Sequence, residues 1–461
     1  MRTDRSEQSR IGSGIRRRGA LALALVAVGG LAMAACSSSS SSSTTTTAAS
    51  GSSSSTTSSG SSTISAAASY RAPIPASAFT STTGLTPTQV TVGNVSTETG
   101  GIFTGSIVGT EAYAAYMNSL GGVNGRKIVV DAKDDQFTGA SNKQQVQAAV
   151  DSDFALVGSF SLEDSYGETV LAQNPQVPNV STMLDPTLTR LPNSFSANPT
   201  GFGWPTGPLD YFKGKYPTQV QHTGVLASVF PSAVASWKLE QPVLQQAGYK
   251  IVYYSGVPLT QTDFTQNVIN MKSAGVQMIY IDQLPENYAG ALLKALQQQN
   301  FHPLLVIGTA SYSEDLVSAA GGPAAVDGAN LEMPNALFLG EDKSEIPAVG
   351  TFLQWVQKVS PGFKADYYTL AGWANTQLFV QALQAAGKNP TQGSVQAQLR
   401  KVTAFNASNL LATTNPADRK QATCYLIAKV VNGQFVRSDD PPVNGPTNGY
   451  RCDGGFIASG S

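Results

Sequence analysis

The 461-residue chain carries 29 lysines and arginines against 30 aspartates and glutamates, a formal charge of −1, with three cysteines and two histidines. Without a basic stripe to neutralise phosphates, nucleic-acid binding is excluded as a default function. Too few cysteine and histidine side chains remain for a zinc cluster once the cysteines are engaged elsewhere, so no metal or cofactor is expected.

At the N-terminus, Arg16, Arg17 and Arg18 flank an uncharged run of 17 residues, Gly19 to Ala35, that ends in small side chains. This is the pattern of an export signal over residues 1–35, and it is short for a membrane span, which needs about 20 apolar residues. The small residues directly before Cys36 resemble the lipobox of bacterial lipoproteins, in which cleavage precedes the cysteine and its thiol takes lipid. That resemblance implies an anchor at Cys36 on the outer face of the bacterial cell membrane. Without residues 1–35 the chain holds 23 basic and 28 acidic residues, a formal charge of −5. Residues 36–86 are serine- and threonine-rich, with no charge between Cys36 and Arg71. They offer too little apolar surface to offset ordering entropy and read as a tether, whose residues 37–69 reach on the order of 30 Å as a coil.

The folded body begins near Thr86 and repeats a strand-then-helix grammar. Val90 to Val95 is a β-branched run followed by a glycine/threonine turn and an amphipathic segment from about Phe103 to Leu120. Then come a strand at Lys127 to Asp131, a helix around Ser141 to Val150 and a strand at Phe154 to Val157. In the second block a strand at Gly224 to Phe230 precedes a helix over Ala233 to Ala247. Lys250 to Tyr254 precedes Asp263 to Ala274, and Val276 to Ile281 precedes Tyr288 to Gln299. Glycines at 248 and 275 stand where a left-handed C-terminal cap belongs. Such alternation predicts an α/β fold of two Rossmann-like lobes with parallel sheets and right-handed crossovers. Cys424 and Cys452, the pair left after Cys36, are expected to form a disulfide closing a 29-residue loop, a constraint of about 3.5 kcal/mol on the chain-entropy view.

In open parallel sheets ligands sit beyond the carboxyl ends of the strands. The loops there are Ser96 to Gly101, Gly158-Ser159-Phe160-Ser161, Pro178 to Thr182, Phe230-Pro231-Ser232, Ser255 to Val257, Asp282 to Glu286 and Gly308 to Tyr312. They are rich in hydroxyls, amides and aromatics and poor in charge, groups that orient a small ligand without reacting with it. Hydroxyls at these positions also serve as helix caps.

Leu120-Gly121-Gly122-Val123-Asn124-Gly125-Arg126-Lys127-Ile128, followed by Asp131 to Gln136, resembles the early hallmark of type I periplasmic binding proteins of the Leu/Ile/Val-binding family. Asp263-Phe264-Thr265 through Gly275, the strand before Asp282, and Tyr367 to Gly387 are similar to that family in order and spacing, over roughly residues 88 to 435. The resemblance implies two lobes joined by three crossing segments, placed near Asn198 to Pro205, Asn330 to Ala336 and Asn415 to Thr423. Lobe 1 is then 87–200 plus 336–415 and lobe 2 is 201–335 plus 416–461. It further implies a monomeric solute-binding subunit of an ABC importer that closes on a small polar organic ligand and presents it to a membrane permease. Carried over by position, the implied ligand residues are Ser159, Phe160, Ser161, Ser181 and Thr182 from lobe 1, Phe230 as the aromatic of lobe 2, and Asp282 or Glu286 as its acid.

A surface receptor of the same fold is the alternative reading, and a cell-envelope hydrolase a more distant one. No G-x-S-x-G, Walker or H-E-x-x-H pattern occurs. His222 and His302 are read as structural. Asp131, Asp134, Asp135, Glu163 and Asp164 are read as solvated loop charges rather than paired catalytic carboxylates.

Overall fold

The computed structural model describes residues 78–200 and 203–458. The expected signal segment, Cys36 and the tether up to residue 77 lie outside the described residues.

Five parallel strands form the first sheet: β1 (Gln89–Ser96), β2 (Lys127–Asp134), β3 (Ala155–Val157), β4 (Asn179–Val180) and β5 (Ser194–Phe195), in the order β2-β1-β3-β4-β5. Val90 and Val92 of β1 are fully buried, and Val92 sits opposite both Val130 and Ala155. Helices cover both faces of this strand, so burial does not alternate along it, and Val92, Gly93, Asn94 and Val95 are buried in succession. A short β6 (Gly203–Pro205) lies between the lobes in sequence. The second sheet comprises β7 (Thr223–Ser228), β8 (Ile251–Val257), β9 (Met278–Asp282), β10 (Leu304–Gly308), β11 (Asn330–Met333), β12 (Leu426–Val431) and β13 (Gln434–Arg437), in the order β13-β12-β11-β10-β9-β7-β8. Its pairs from β7 to β11 are parallel, and β12 and β13 join antiparallel at one edge. β14 (Phe456–Ala458) pairs antiparallel with β6.

The longer helices are α1 (Thr104–Ser119), α2 (Gly139–Ser152), α3 (Gly207–Lys215), α4 (Pro231–Gln246), α5 (Thr265–Ser273), α6 (Glu286–Gln298), α7 (Pro347–Val359), α8 (Tyr367–Ala385) and α9 (Gln392–Leu399). Helices α4 and α5 stop where the glycines require. Gly248 and Gly275 have φ of 93° and 70°, and the amides of Tyr249 and Val276 reach back to the carbonyls of Leu244 and Met271 at 3.0 Å each. Asp366 caps α8 and Thr391 caps α9, each in a reciprocal box with the residue three positions on.

Helices α7 and α8 lie in sequence between β11 and β12 of the second sheet yet pack on α1 of the first lobe. The chain therefore passes between lobes three times. These passages bond to one another: Thr414 Oγ1 donates to the Ala197 carbonyl at 2.8 Å, and the Ala412 and Ala336 amides donate to the Pro334 and Leu410 carbonyls at 2.7 and 3.0 Å. Residues 330–333, expected at the second crossing, are β11 of the second sheet, so that passage begins beyond Met333. The Cys424–Cys452 disulfide forms with a Cα separation of 4.3 Å. It is positioned by the adjacent antiparallel bridge, in which Tyr425 and Arg451 exchange backbone hydrogen bonds of 2.9 and 2.7 Å.

Of the five acidic loop residues, Asp135 and Asp164 are not solvated, contrary to the sequence expectation, whereas Asp131, Asp134 and Glu163 are partly exposed. Asp135 is wholly buried and accepts from Thr97 Oγ1 at 3.2 Å, Asn142 Nδ2 at 3.1 Å and the Ser161 hydroxyl. Asp164 is buried too and accepts from the amides of Leu184 and Asp185 at 2.6 and 3.1 Å. Each carboxylate ties one strand-end loop to another, a contact between elements that local sequence does not reveal.

Two predictions follow from this packing. A Cβ at Gly372 of α8 would overlap the Ser106 carbonyl of α1, and one at Gly109 the Thr369 carbonyl. Gly372→Ala should thus lower stability by about 1–3 kcal/mol despite the roughly 1 kcal/mol gain in helix propensity, measured by denaturant unfolding; unchanged or raised stability would contradict that crossing. Thiol titration of the unfolded, unreduced protein should find neither Cys424 nor Cys452 free.

Candidate functional site

The carboxyl ends of the two sheets face a common cavity of about 260 Å³. Phe160 follows β3, Thr182 follows β4, Phe230 opens α4, and Asp282 closes β9. These four of the residues expected from sequence lie on the cavity wall. Ser159, Ser161 and Ser181 instead line a small void of about 30 Å³ behind it, within the first lobe. Glu286 occupies the first turn of α6, away from the cavity lining, where burial raises its carboxyl and the charge of Asp366 adds to the effect.

The polar groups of the first-lobe loops are largely spent on each other. Ser159 Oγ accepts from the Val95 amide at 3.0 Å, and Ser181 Oγ accepts from the Ser159 amide at 3.2 Å. The Phe160 amide donates to Ser96 Oγ at 3.0 Å, and the Thr182 amide to the Ser159 carbonyl at 3.1 Å. Thr182 Oγ1 accepts from Asn375 Nδ2 of α8 at 3.0 Å, and the same Asn375 accepts from the Ala197 amide at 2.8 Å. The wall that remains is aromatic: Phe103 lies 4.5 Å from Phe160 and 4.6 Å from Tyr368, and Phe160 meets Tyr368 edge-on at 5.0 Å. Such tilted and edge-on pairs suit the ring quadrupoles and fix the surface. Phe230 and Leu259 of the second lobe pack onto this cluster, and Ser232 Oγ donates to the Leu162 carbonyl at 3.4 Å, so the lobes touch across the cavity.

The second-lobe wall is acidic. Glu240 of α4, Asp282 of β9 and Glu332 of β11 all line it, around the hydroxyl of Tyr280. Tyr280 lies 3.0 Å from Glu240 Oε1 and 3.1 Å from Glu332 Oε1. One phenol has one hydrogen to give, so satisfying both contacts requires a proton on one of the carboxyls. Asp282 also meets Glu240, a contact that is a hydrogen bond only when one of the two is protonated. With both ionised, Asp282 Oδ2 is buried without a partner among the described residues, as is Glu332 Oε2. Burial accordingly pushes Asp282 and Glu332 up to about 7, and drives Glu240 well above the carboxylate range, with the charge of Asp282 adding to it.

Residues 230, 182 and 160 were legible because they follow strands. Glu240 and Glu332 were not singled out, although a signal existed. Ala233, Trp237, Glu240 and Leu244 share the buried face of α4, so a carboxyl there stands at a core position of a helix. Tyr367 and Tyr368 lie within the family-like stretch Tyr367 to Gly387, but nothing local aims a helix start at a cavity.

Among the described residues no helix is long and apolar enough to cross a membrane. The sequence model of the periplasmic binding protein family matches residues 89–434. The chain is 27% identical over 311 residues to Leu/Ile/Val-binding protein homolog 1 of Brucella abortus, covering 64% of this chain and 76% of that protein. In fold it is similar to a branched-chain amino acid ABC transporter protein from Thermus thermophilus with bound valine (TM-score 0.67, 16% identity, 78% of this chain and 97% of that one). It is likewise similar to a solute-binding protein from R. palustris in complex with 4-hydroxybenzoate (TM-score 0.63, 17% identity, 76% and 95%). Two lobes, three linked passages and an inter-lobe cavity at the strand ends accompany these likenesses, and the chain belongs to the periplasmic binding protein family, with the type I fold.

Proposed function

We propose that this protein is the extracytoplasmic solute-binding subunit of an ABC importer, holding a small polar organic molecule between its lobes and handing it unaltered to a membrane permease. The observation that carries this reading is the 260 Å³ cavity with Phe160 and Thr182 on one wall and Phe230 and Asp282 on the other. A solute touching both walls gains contacts in the closed form that the open form lacks, so binding shifts the population toward closure. Related proteins whose names specify amino acids or an aromatic acid support this class of ligand. On this reading the solute contacts are Phe160, Thr182, Phe230 and Asp282, and Cys36 carries the lipid that keeps a monomer near its permease. No residue is assigned a catalytic role.

Trp204 lies in the first passage and lines the cavity. Titration with a bound solute should therefore change tryptophan emission, and Trp204→Phe should remove most of that change while the scattering radius still contracts. A solute at 100 times its dissociation constant should raise stability by about 2.7 kcal/mol. Phe230→Ala should weaken binding at least tenfold, about 1.4 kcal/mol, by calorimetry; unchanged affinity would remove Phe230 from the site. Recovery of a chemically altered solute would refute the transport reading.

A further inference from the structure

Building on that solute-binding reading, we infer that the preferred ligand is an organic cation, a small molecule ending in a protonated amine or guanidinium and lacking a carboxylate, with its positive end among Glu240, Asp282 and Glu332. Three features of the cavity point there. First, the side chains of three carboxylic acids converge on one corner, and no lysine, arginine or histidine is among the described residues that line the cavity. Second, Asp282 is 7% exposed, and with the acids ionised its Oδ2 atom and Glu332 Oε2 are buried acceptors with no donor among the described residues. A buried acceptor without a partner costs free energy that a ligand N–H recovers, and an ammonium brings three such donors. Third, the first-lobe donors that would hold a carboxylate do not reach the cavity: Ser159, Ser161 and Ser181 line the small void behind it, the Ser161 hydroxyl donates to Asp135, and the Phe160 and Thr182 amides donate to Ser96 Oγ and the Ser159 carbonyl. What that lobe presents is the aromatic set of Phe103, Phe160 and Tyr368, suited to the apolar body of an amine and to its charge.

The protonation state of the cluster gives the inference a signature. The titratable groups facing it from neighbouring elements are Tyr280 on β9, Tyr254 on β8 and Tyr249 just before β8, all raised by burial and hence neutral. Among the described residues that line the cavity no positive group compensates the acids, so the cluster retains protons near neutrality, and a cation must displace them. Affinity for a cation should then rise with pH across the region around 7 where Asp282 and Glu332 titrate, by up to tenfold per unit for each proton released. The unliganded fold has the opposite dependence. Carboxyls held above their unfolded values contribute stability that is full below about pH 4 and is lost as pH rises toward 7.

The test is a matched series measured by calorimetry at pH 6 and pH 8 on the full chain: 3-methylbutylamine, leucine, which adds a carboxylate to it, and 4-methylpentanoate, which lacks the amine. 2-Phenylethylamine and 1,5-diaminopentane extend the amine arm. At least one amine should bind tenfold or more tightly than leucine, with protons released and affinity at least tenfold higher at pH 8. Asp282→Asn and Glu332→Gln should each cost tenfold or more in amine affinity, flatten its pH dependence and raise the unliganded melting temperature at pH 8. Should either variant fail to fold, the other and the proton release decide. Leucine or 4-methylpentanoate binding as tightly as every amine overturns the inference and leaves the solute-binding reading standing. So does amine binding that ignores pH and both substitutions. Absence of any response from amines and acids alike overturns both.

Discussion

Glu240, Asp282 and Glu332 stand around one tyrosine hydroxyl, and the geometry forbids them from all being ionised at once. Tyr280 has two carboxyl oxygens within 3.1 Å and a single hydrogen. Asp282 and Glu240 can bond only through a shared proton. Three buried charges without a counter-ion would be costlier than almost any packing defect, so protons rather than ionised groups hold this corner together. The second lobe holds this strained corner on rigid elements, two strand ends and the buried face of α4, and the rest of the molecule positions a partner surface opposite.

That opposing surface depends on how the first lobe uses its polar groups. Ser96, Thr97, Ser159, Ser161 and Ser181 knit the strand-end loops to each other and to Asp135. With these serines drawn behind the cavity, the loops offer it mainly ring faces, beside the Thr182 side chain. Rigidity there has a cost in ligand-directed hydrogen bonding and a benefit in preorganisation, since Phe103, Phe160 and Tyr368 hold one another.

Hinge motion needs lobes that are individually firm and connections that are few. The close crossing of α1 and α8, made possible by Gly109 and Gly372, locks the late helices to the first lobe. The disulfide and the Tyr425–Arg451 bridge secure the returning chain in the second. Between them run three passages tied to each other at Thr414, Ala412 and Ala336, so the lobes pivot on a common strip rather than on independent linkers.

Local patterning in the sequence determined the architecture, because strand and helix periodicities and glycine stops are properties of neighbouring residues. The runs at Val90, Lys127, Phe154 and Val276 became strands, and Gly248 and Gly275 ended helices as their φ values demand. The same logic placed Phe160, Thr182, Phe230 and Asp282 at strand ends that line the cavity. Only the tertiary structure decided which hydroxyls face a ligand, since Ser159, Ser161 and Ser181 are drawn to a void behind the cavity by partners up to 64 residues away. It alone also brought Glu240, Asp282 and Glu332 together from a helix and two strands. Charge proximity across about 90 residues is set by the crossover geometry of the sheet, which no local pattern records.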